Sequence, residues 1–194
     1  LPLIFLPALW GFLGKKRWLF YALTGIITLV TFLPFLSTEL LQHWGSSIGL
    51  YFKTFEFNAS IYYLVNRPWW GIVGYNPIAT VGPIMALLSV SAILLISFLK
   101  RIPLQQKLYF ILFAYLLCAT TVHPWYVAPL VALGLFVGRS EGLVWSAAVV
   151  LSYAHYVGNA NTENYVLIAL EYTLLLSALL FRNNINKLLP AGQL

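Results

Sequence analysis

The stretch LYFILFAYLLCATTVHPWYVAPLVALGLFVG, residues 108–138, runs 31 residues without a charged side chain. As one α-helix it would be about 46 Å long, well beyond the roughly 30 Å hydrocarbon core of a bilayer. Pro124 and Pro129 fall inside it, and proline lacks the N–H that a helix interior needs. The alternative is a hairpin of two short passes that turns at Thr120-Thr121-Val122-His123-Pro124. Basic residues arbitrate, because cytoplasmic segments of membrane proteins are enriched in Lys and Arg. With a hairpin, Lys15, Lys16, Arg17, Lys100, Arg101, Lys107, Arg139, Arg182 and Lys187 fall on one side, nine against two (Lys53 and Arg67). A single pass gives six against five. The hairpin is preferred.

Composition supports the membrane reading. The 194-residue chain is 61% hydrophobic and only 8% charged, where a soluble domain carries about 25% charged residues. Long apolar runs without alternation point to helices, not a barrel. The expected fold is therefore all-α: a polytopic helical membrane protein of about seven passes, some short or re-entrant. The passes are the end of a span at 1–14, then 18–36, 77–99, the two arms of 108–138, 143–157 and 165–181. The net charge of +6 is scattered at helix ends, so no nucleic-acid partner is expected. The chain opens on Leu1 inside an apolar run, without the basic n-region or cleavage site of a signal peptide. It is expected to be a single transmembrane domain, 1–194, the C-terminal part of a longer chain.

The charge tally places residues 37–76, the His123 turn and the link 158–164 together on the extracytoplasmic side. Segment 37–76 is the long loop, and its centre, YFKTFEFNASIYYLVNR at 51–67, interleaves polar, charged and aromatic residues. As a helix, Lys53, Glu56, Ser60 and Arg67 share a polar stripe about 60° wide, which suits an amphipathic segment on the membrane surface. FEFNASIY also alternates, which fits a strand with Glu56, Asn58 and Ser60 on one face. Both readings pair Glu56 with Ser60. The cations could meet a phosphate and Glu56 a sugar hydroxyl; the plainer account is a Lys–Glu pair on a solvated face. Ten aromatics lie between residues 44 and 75, either an interfacial belt or a platform for sugar rings or a prenyl chain.

Three further features stand out. His123-Pro124-Trp125-Tyr126 holds His123 at a helix break, where it could donate to a phosphate or hydroxyl. Glu171 lies inside the last apolar run, and an ionisable group at that depth marks function or critical packing. Glu163 and the neighbouring asparagines 159, 161 and 164 read as a hydrophilic turn, and His155 as structural. Cys118 reads as a small buried hydrophobe. No metal site is expected, since His123 has no partner at ligand spacing, and no cofactor motif is present.

FEFNASIYYLVNR with the following GYN, then TTVHPWYVAPLVAL, then ENYVLIALEY resemble the C-terminal half of bacterial GT-C membrane glycosyltransferases of the mannosyltransferase-like type. The resemblance covers roughly residues 45–175. It implies transfer of a hexose from a polyprenyl-phosphate donor to a lipid- or glycan-type acceptor at the extracytoplasmic face of the inner membrane, with inversion at the anomeric carbon. The family's general base is usually an acidic residue in the first extracytoplasmic loop. The sequence contains no Asp, so that acid is expected upstream of Leu1, with Glu56 the internal candidate. Lys53, Arg67 and His123 would meet the lipid phosphate, and Glu56, Asn58, Trp125 and Tyr126 the sugar, with Ser60 a further substrate-binding candidate. A lipid or solute transporter with Glu171 on its pathway, or a non-catalytic subunit of a cell-envelope complex, are the other classes considered.

Overall fold

The computed structural model describes residues 2–156 and 163–181, without the side chains of residues 41, 48 and 50–53. Lys53's side chain, Asn159, Asn161, Arg182 and Lys187 thus lie outside the described set. Nine α-helices account for most of what is described: α1 (Leu6–Phe12), α2 (Arg17–Phe32), α3 (Thr38–Thr54), α4 (Ile61–Val73), α5 (Ile78–Phe98), α6 (Leu104–Cys118), α7 (Pro124–Val137), α8 (Glu141–Ala148) and α9 (Tyr165–Leu180). The chain is all-α, as expected. The one departure among the described residues is an isolated parallel bridge between Phe57 and Thr121.

Among the described residues two helices are long and apolar enough to cross a membrane: Gly14–Phe35, which extends α2 by short 3₁₀ turns, and Ile78–Phe98, which is α5. α6, α7 and α9 are apolar but shorter. The stretch 108–138 is broken as its prolines require. Pro124 opens α7 at the first helical position, where a missing N–H costs nothing. The proposed pass at 143–157 is not one α-helix. It is α8 followed by a 3₁₀ turn, Val149–Tyr156, whose Val149 and Ser152 are buried where the turn packs on α9. No glycine or proline marks that change, so it has no signature in the sequence.

α5 is the central post and packs against α1, α3, α4 and α6. The largest core cluster joins Tyr109, Leu112 and Leu116 of α6 to Leu130, Trp145 and Leu175. A second one joins Ala59, Tyr62 and Tyr63 to Val81 and Met85 of α5 and Ile168 of α9. α2 has no buried residue and is fastened near its start, where Arg17 lies 4.7 Å over the Trp10 ring and the Tyr21 hydroxyl donates to the Leu6 carbonyl.

Segment 51–67 is neither the continuous helix nor the strand that its two periodicities allow. α3 ends at Thr54, α4 begins at Ile61, and extended chain joins them. Asn58 sits at φ 47°, a left-handed conformation incompatible with either element and best tolerated by Asn, Asp and Gly. Glu56 and Ser60 consequently do not pair. Glu56 turns to Tyr62 and Asn76, whereas the Ser60 hydroxyl donates to the Leu117 carbonyl at 2.8 Å.

The α7–α8 corner is tight. Gly138 takes φ 65° at the end of α7, as helix C-termini commonly require. A Cβ on Gly134 would lie 2.6 Å from the Arg139 carbonyl oxygen, and one on Gly142 would lie 3.0 Å from that of Leu130. Both obstacles are backbone and cannot swing away. Gly134→Ala is expected to cost about 1–3 kcal/mol through this overlap, read as a lowered thermal midpoint in detergent; an unchanged midpoint would show that the corner relaxes freely.

Candidate functional site

The site is built around the short extended link between α3 and α4. Phe57 N–H donates to the Thr120 carbonyl at 3.0 Å and Val122 N–H to the Phe57 carbonyl at 2.8 Å, which ties the link to the α6–α7 turn. Neighbours in extended chain point opposite ways, which separates Glu56 from Phe57, and the left-handed backbone at Asn58 sends its side chain in a third direction.

Phe57 faces the histidines. Its ring stacks on His123 with centroids 4.7 Å apart and meets His155 edge-on at 5.2 Å. His123 in turn stacks on Trp125 at 4.4 Å and meets Tyr126 edge-on at 5.4 Å. Desolvation holds the His123 imidazole below its usual pKa. Trp125 is exposed and Tyr126 half-buried, so this aromatic wall has an open rim.

Asn58 is fully buried. Its side-chain amide donates to both oxygens of Glu171, at 3.1 and 3.0 Å, and Trp145 Nε1 donates to the same carboxylate at 2.8 Å. The Asn58 backbone N–H donates to Glu163 Oε1 at 3.2 Å, and its carbonyl accepts from the Tyr172 hydroxyl at 2.8 Å. A residue sealed this completely holds the site together. Glu171 is likewise fully buried.

Glu56 points to the third side. The Tyr62 hydroxyl donates to Oε2, Asn76 Nδ2 donates to Oε1 at 3.3 Å, and an Arg67 guanidinium nitrogen lies 3.8 Å from Oε1. Asn76 is itself fixed by Asn66 Nδ2 and by the Ile78 N–H, both donating to Oδ1 at 3.1 Å. Burial, reinforced by the Glu56 carboxylate, pushes the Tyr62 hydroxyl pKa up, so it acts as a donor. The Arg67 guanidinium lies over Tyr165 at 4.2 Å, Trp70 at 4.5 Å and Tyr63 at 5.6 Å. Such faces attract a cation without using its N–H groups.

Arg67 also stands on the wall of a cleft of about 590 Å³ between α4 and α9. Its walls are mainly Leu64, Leu117, Ile168, Leu175, Leu176 and Leu179, with Ser60, Tyr63, Tyr165 and Tyr172 also lining it. Leu64 and Leu176 line the cleft while remaining exposed, at 76% and 54%, so it opens to the surface of the helical bundle. Among the described residues no three of His, Cys, Asp and Glu gather as metal ligands would.

The structure thus divides the expected residues. Arg67 and Glu56 come together; His123, Trp125 and Tyr126 come together; the link's alternation turns these groups apart. Glu171 serves the link from within α9. Sequence reasoning gave no role to Asn76, Trp145, Tyr165 or Tyr172, although Asn76 lies in the quoted GYN and both tyrosines in ENYVLIALEY. It read Glu163 as part of a hydrophilic turn and His155 as structural. Glu163 in fact bonds the link and lies 3.6 Å from His155 Nδ1. Burial pushes its pKa up, opposed by the Asn58 N–H and by His155.

Comparison of the chain with known protein families, with curated proteins and with solved structures finds no match.

Removing the Asn58 amide leaves a buried carboxylate short of a donor, which costs about 1.5–3 kcal/mol; Asn58→Ala adds strain at positive φ. The expected result is a variant destabilised by about 3 kcal/mol in thermal or denaturant unfolding, with Asn58→Gly intermediate because it keeps the backbone freedom. Acidification should act through His123. Its folded pKa lies below the unfolded value of 6.5, so the folded chain takes up the proton less readily. The associated stability is complete above pH 6.5 and is lost as pH falls from there through the folded value. His123→Phe, which keeps the stacking, should remove that part of the acid limb in a stability–pH profile.

Proposed function

We propose that the chain is a GT-C type membrane hexosyltransferase, moving a mannose-like hexose from a polyprenyl-phosphate donor to an acceptor outside the cytoplasm. In this reading the short apolar helices complete about seven passes of a bacterial inner membrane, with the α3–α4 link facing out. The observation that carries the proposal is the apolar cleft, open to the surface of the bundle, with a guanidinium on its wall. A prenyl chain gains about 0.8 kcal/mol for each CH₂ it buries, and it can enter from the bilayer only through a lateral opening. A phosphate at Arg67 gains a charge-assisted, bidentate contact. The 3.8 Å separation from Glu56 is too long for a hydrogen bond, so the guanidinium keeps donors for a ligand.

Glu56 is held by three partners, and a carboxylate so engaged orients a sugar hydroxyl better than it takes a proton. Deprotonation of the acceptor falls to another group. The rim at Trp125 and Tyr126 offers a stacking face to the acceptor, with His123 behind it. Ser60 belongs to the donor side on this reading, as part of the cleft wall. A transporter using Glu171 is less well supported: that carboxylate is capped by Asn58 and Trp145 and stands outside the cleft lining.

The test is transfer from a polyprenyl-phosphate-mannose donor by the intact natural protein in nanodiscs. Arg67→Ala should lower kcat/KM by about 10- to 100-fold, mainly through the donor KM. Leu176→Trp, which fills the cleft, should raise KM for long-chain donors and spare two-isoprene analogues. Wild-type kinetics in both variants would exclude the cleft as the donor site.

A further inference from the structure

We infer that the cleft between α4 and α9 is a ruler: it takes up about four isoprene units next to the donor phosphate, and Leu179 marks its far end. The inference rests on the transfer reaction proposed above and specifies which part of the donor lipid is recognised.

The cleft has a charged end and an apolar end. At the first, the Arg67 guanidinium lies 4.2 Å over the Tyr165 ring and 5.6 Å over that of Tyr63, and the two rings meet edge-on at 5.5 Å. Arg67 Nε is buried without a hydrogen-bond partner. Tyr165 is the first residue of α9. From there the α9 residues that line the cleft follow at steps of three, one, three, three, one and three, ending at Leu179. Steps of three and four keep side chains on one helix face, so the lining is a single stripe. Ala169 and Leu176 on it are exposed, Leu175 is buried and Leu179 half-buried. Beyond Tyr172 the stripe is leucine alone.

The hydroxyls along the way donate within the protein: Ser60 to the Leu117 carbonyl and Tyr172 to that of Asn58, both at 2.8 Å. A cation followed by hydrocarbon fits a single-chain lipid whose one polar group is its phosphate head. A diacyl lipid brings two chains and ester carbonyls below its phosphate, and one stripe without donors serves neither. The same spacing suits a partner helix; the guanidinium at the head of the stripe selects the anionic lipid instead.

The stripe also has a length. From Tyr165 to Leu179 is 14 positions, about 21 Å at the rise of an α-helix. A prenyl chain advances by four backbone bonds per unit, about 5 Å when extended, since three such bonds carry a peptide about 3.5 Å. The stripe therefore matches about four units. Leu180 and Phe181 follow, both exposed and outside the lining. Units beyond the stripe lie in the bilayer, where the protein does not sense them. Ala169 marks the near part of the scale, about 6 Å from Tyr165, or one unit.

The experiment measures transfer by the intact natural protein in nanodiscs from mannosyl phosphates whose prenyl chains run from one unit to the length of a natural carrier. kcat/KM should rise by about threefold per unit and level at about four units. The rise is modest because each unit leaves lipid, not water. Ala169→Phe, at an exposed position, should bring the levelling point to about one unit, and Leu179→Trp to about three. A loss of stability would lower the whole curve and not move that point. Leu176→Cys should label readily with a lipid-soluble maleimide against the wild-type background. A curve that climbs to natural length, is flat from the first unit, or levels at the wild-type point in both variants overturns the ruler. So does poor labelling of Leu176→Cys, which a partner helix seated on the stripe would cause. Arg67→Ala judges the donor reading separately, and absence of transfer from every donor by the wild-type protein overturns both. Should Leu179→Trp fail to fold, Ala169→Phe decides alone.

Discussion

The bond between the Asn58 amide and the Glu171 carboxylate sets the rest of the site. Burying a carboxylate among apolar helices costs several kcal/mol unless donors meet it. α9 supplies the carboxylate, α8 supplies one donor through Trp145, and the link between α3 and α4 must supply the other. For Asn58 to reach, its backbone takes a left-handed turn that ends any helix or strand through it. Its own N–H and carbonyl are then met by Glu163 and Tyr172. One side-chain requirement thus dictates the path of the link and joins three parts of the chain distant in sequence.

Everything functional hangs from that path. Once Asn58 is fixed, Phe57 is placed against Thr121 and carries the histidines on one side, while Glu56 carries Arg67 on the other. The separation has an electrostatic logic. Arg67 is neutralised loosely, by a distant carboxylate and three aromatic faces, so it stays available to an anion. Glu56 is neutralised tightly, by a tyrosine hydroxyl and an amide, so it stays where it is. In the proposed reading, a cation with donors to spare beside a fixed anion is what would hold the phosphate of the donor.

Much of this was legible before any coordinates. The helical class, the break at 120–124 and the importance of residues 51–67 all follow from apolar run lengths, from Pro124 and from the rarity of charge. Glu171 stood out for its depth. The conformation of the link did not, because FEFNASIY satisfies a period of two and of nearly four equally well. Neither period describes a segment whose geometry is set by a residue 113 positions away. The approach of His155 to Glu163 was not legible for a related reason: each looks ordinary within its own neighbourhood, and packing alone brings them together.

The sequence by itself determined the materials: apolar helical runs, broken at Pro124, with few ionisable groups to place. Those properties are local, set by side-chain transfer energies and backbone geometry over a few residues. Only the tertiary structure decided which polar groups would meet, since a scarce buried charge takes whatever donor the packing brings to it. Thus the tertiary structure gave Glu171 an asparagine, Glu163 a histidine, and Arg67 a cleft.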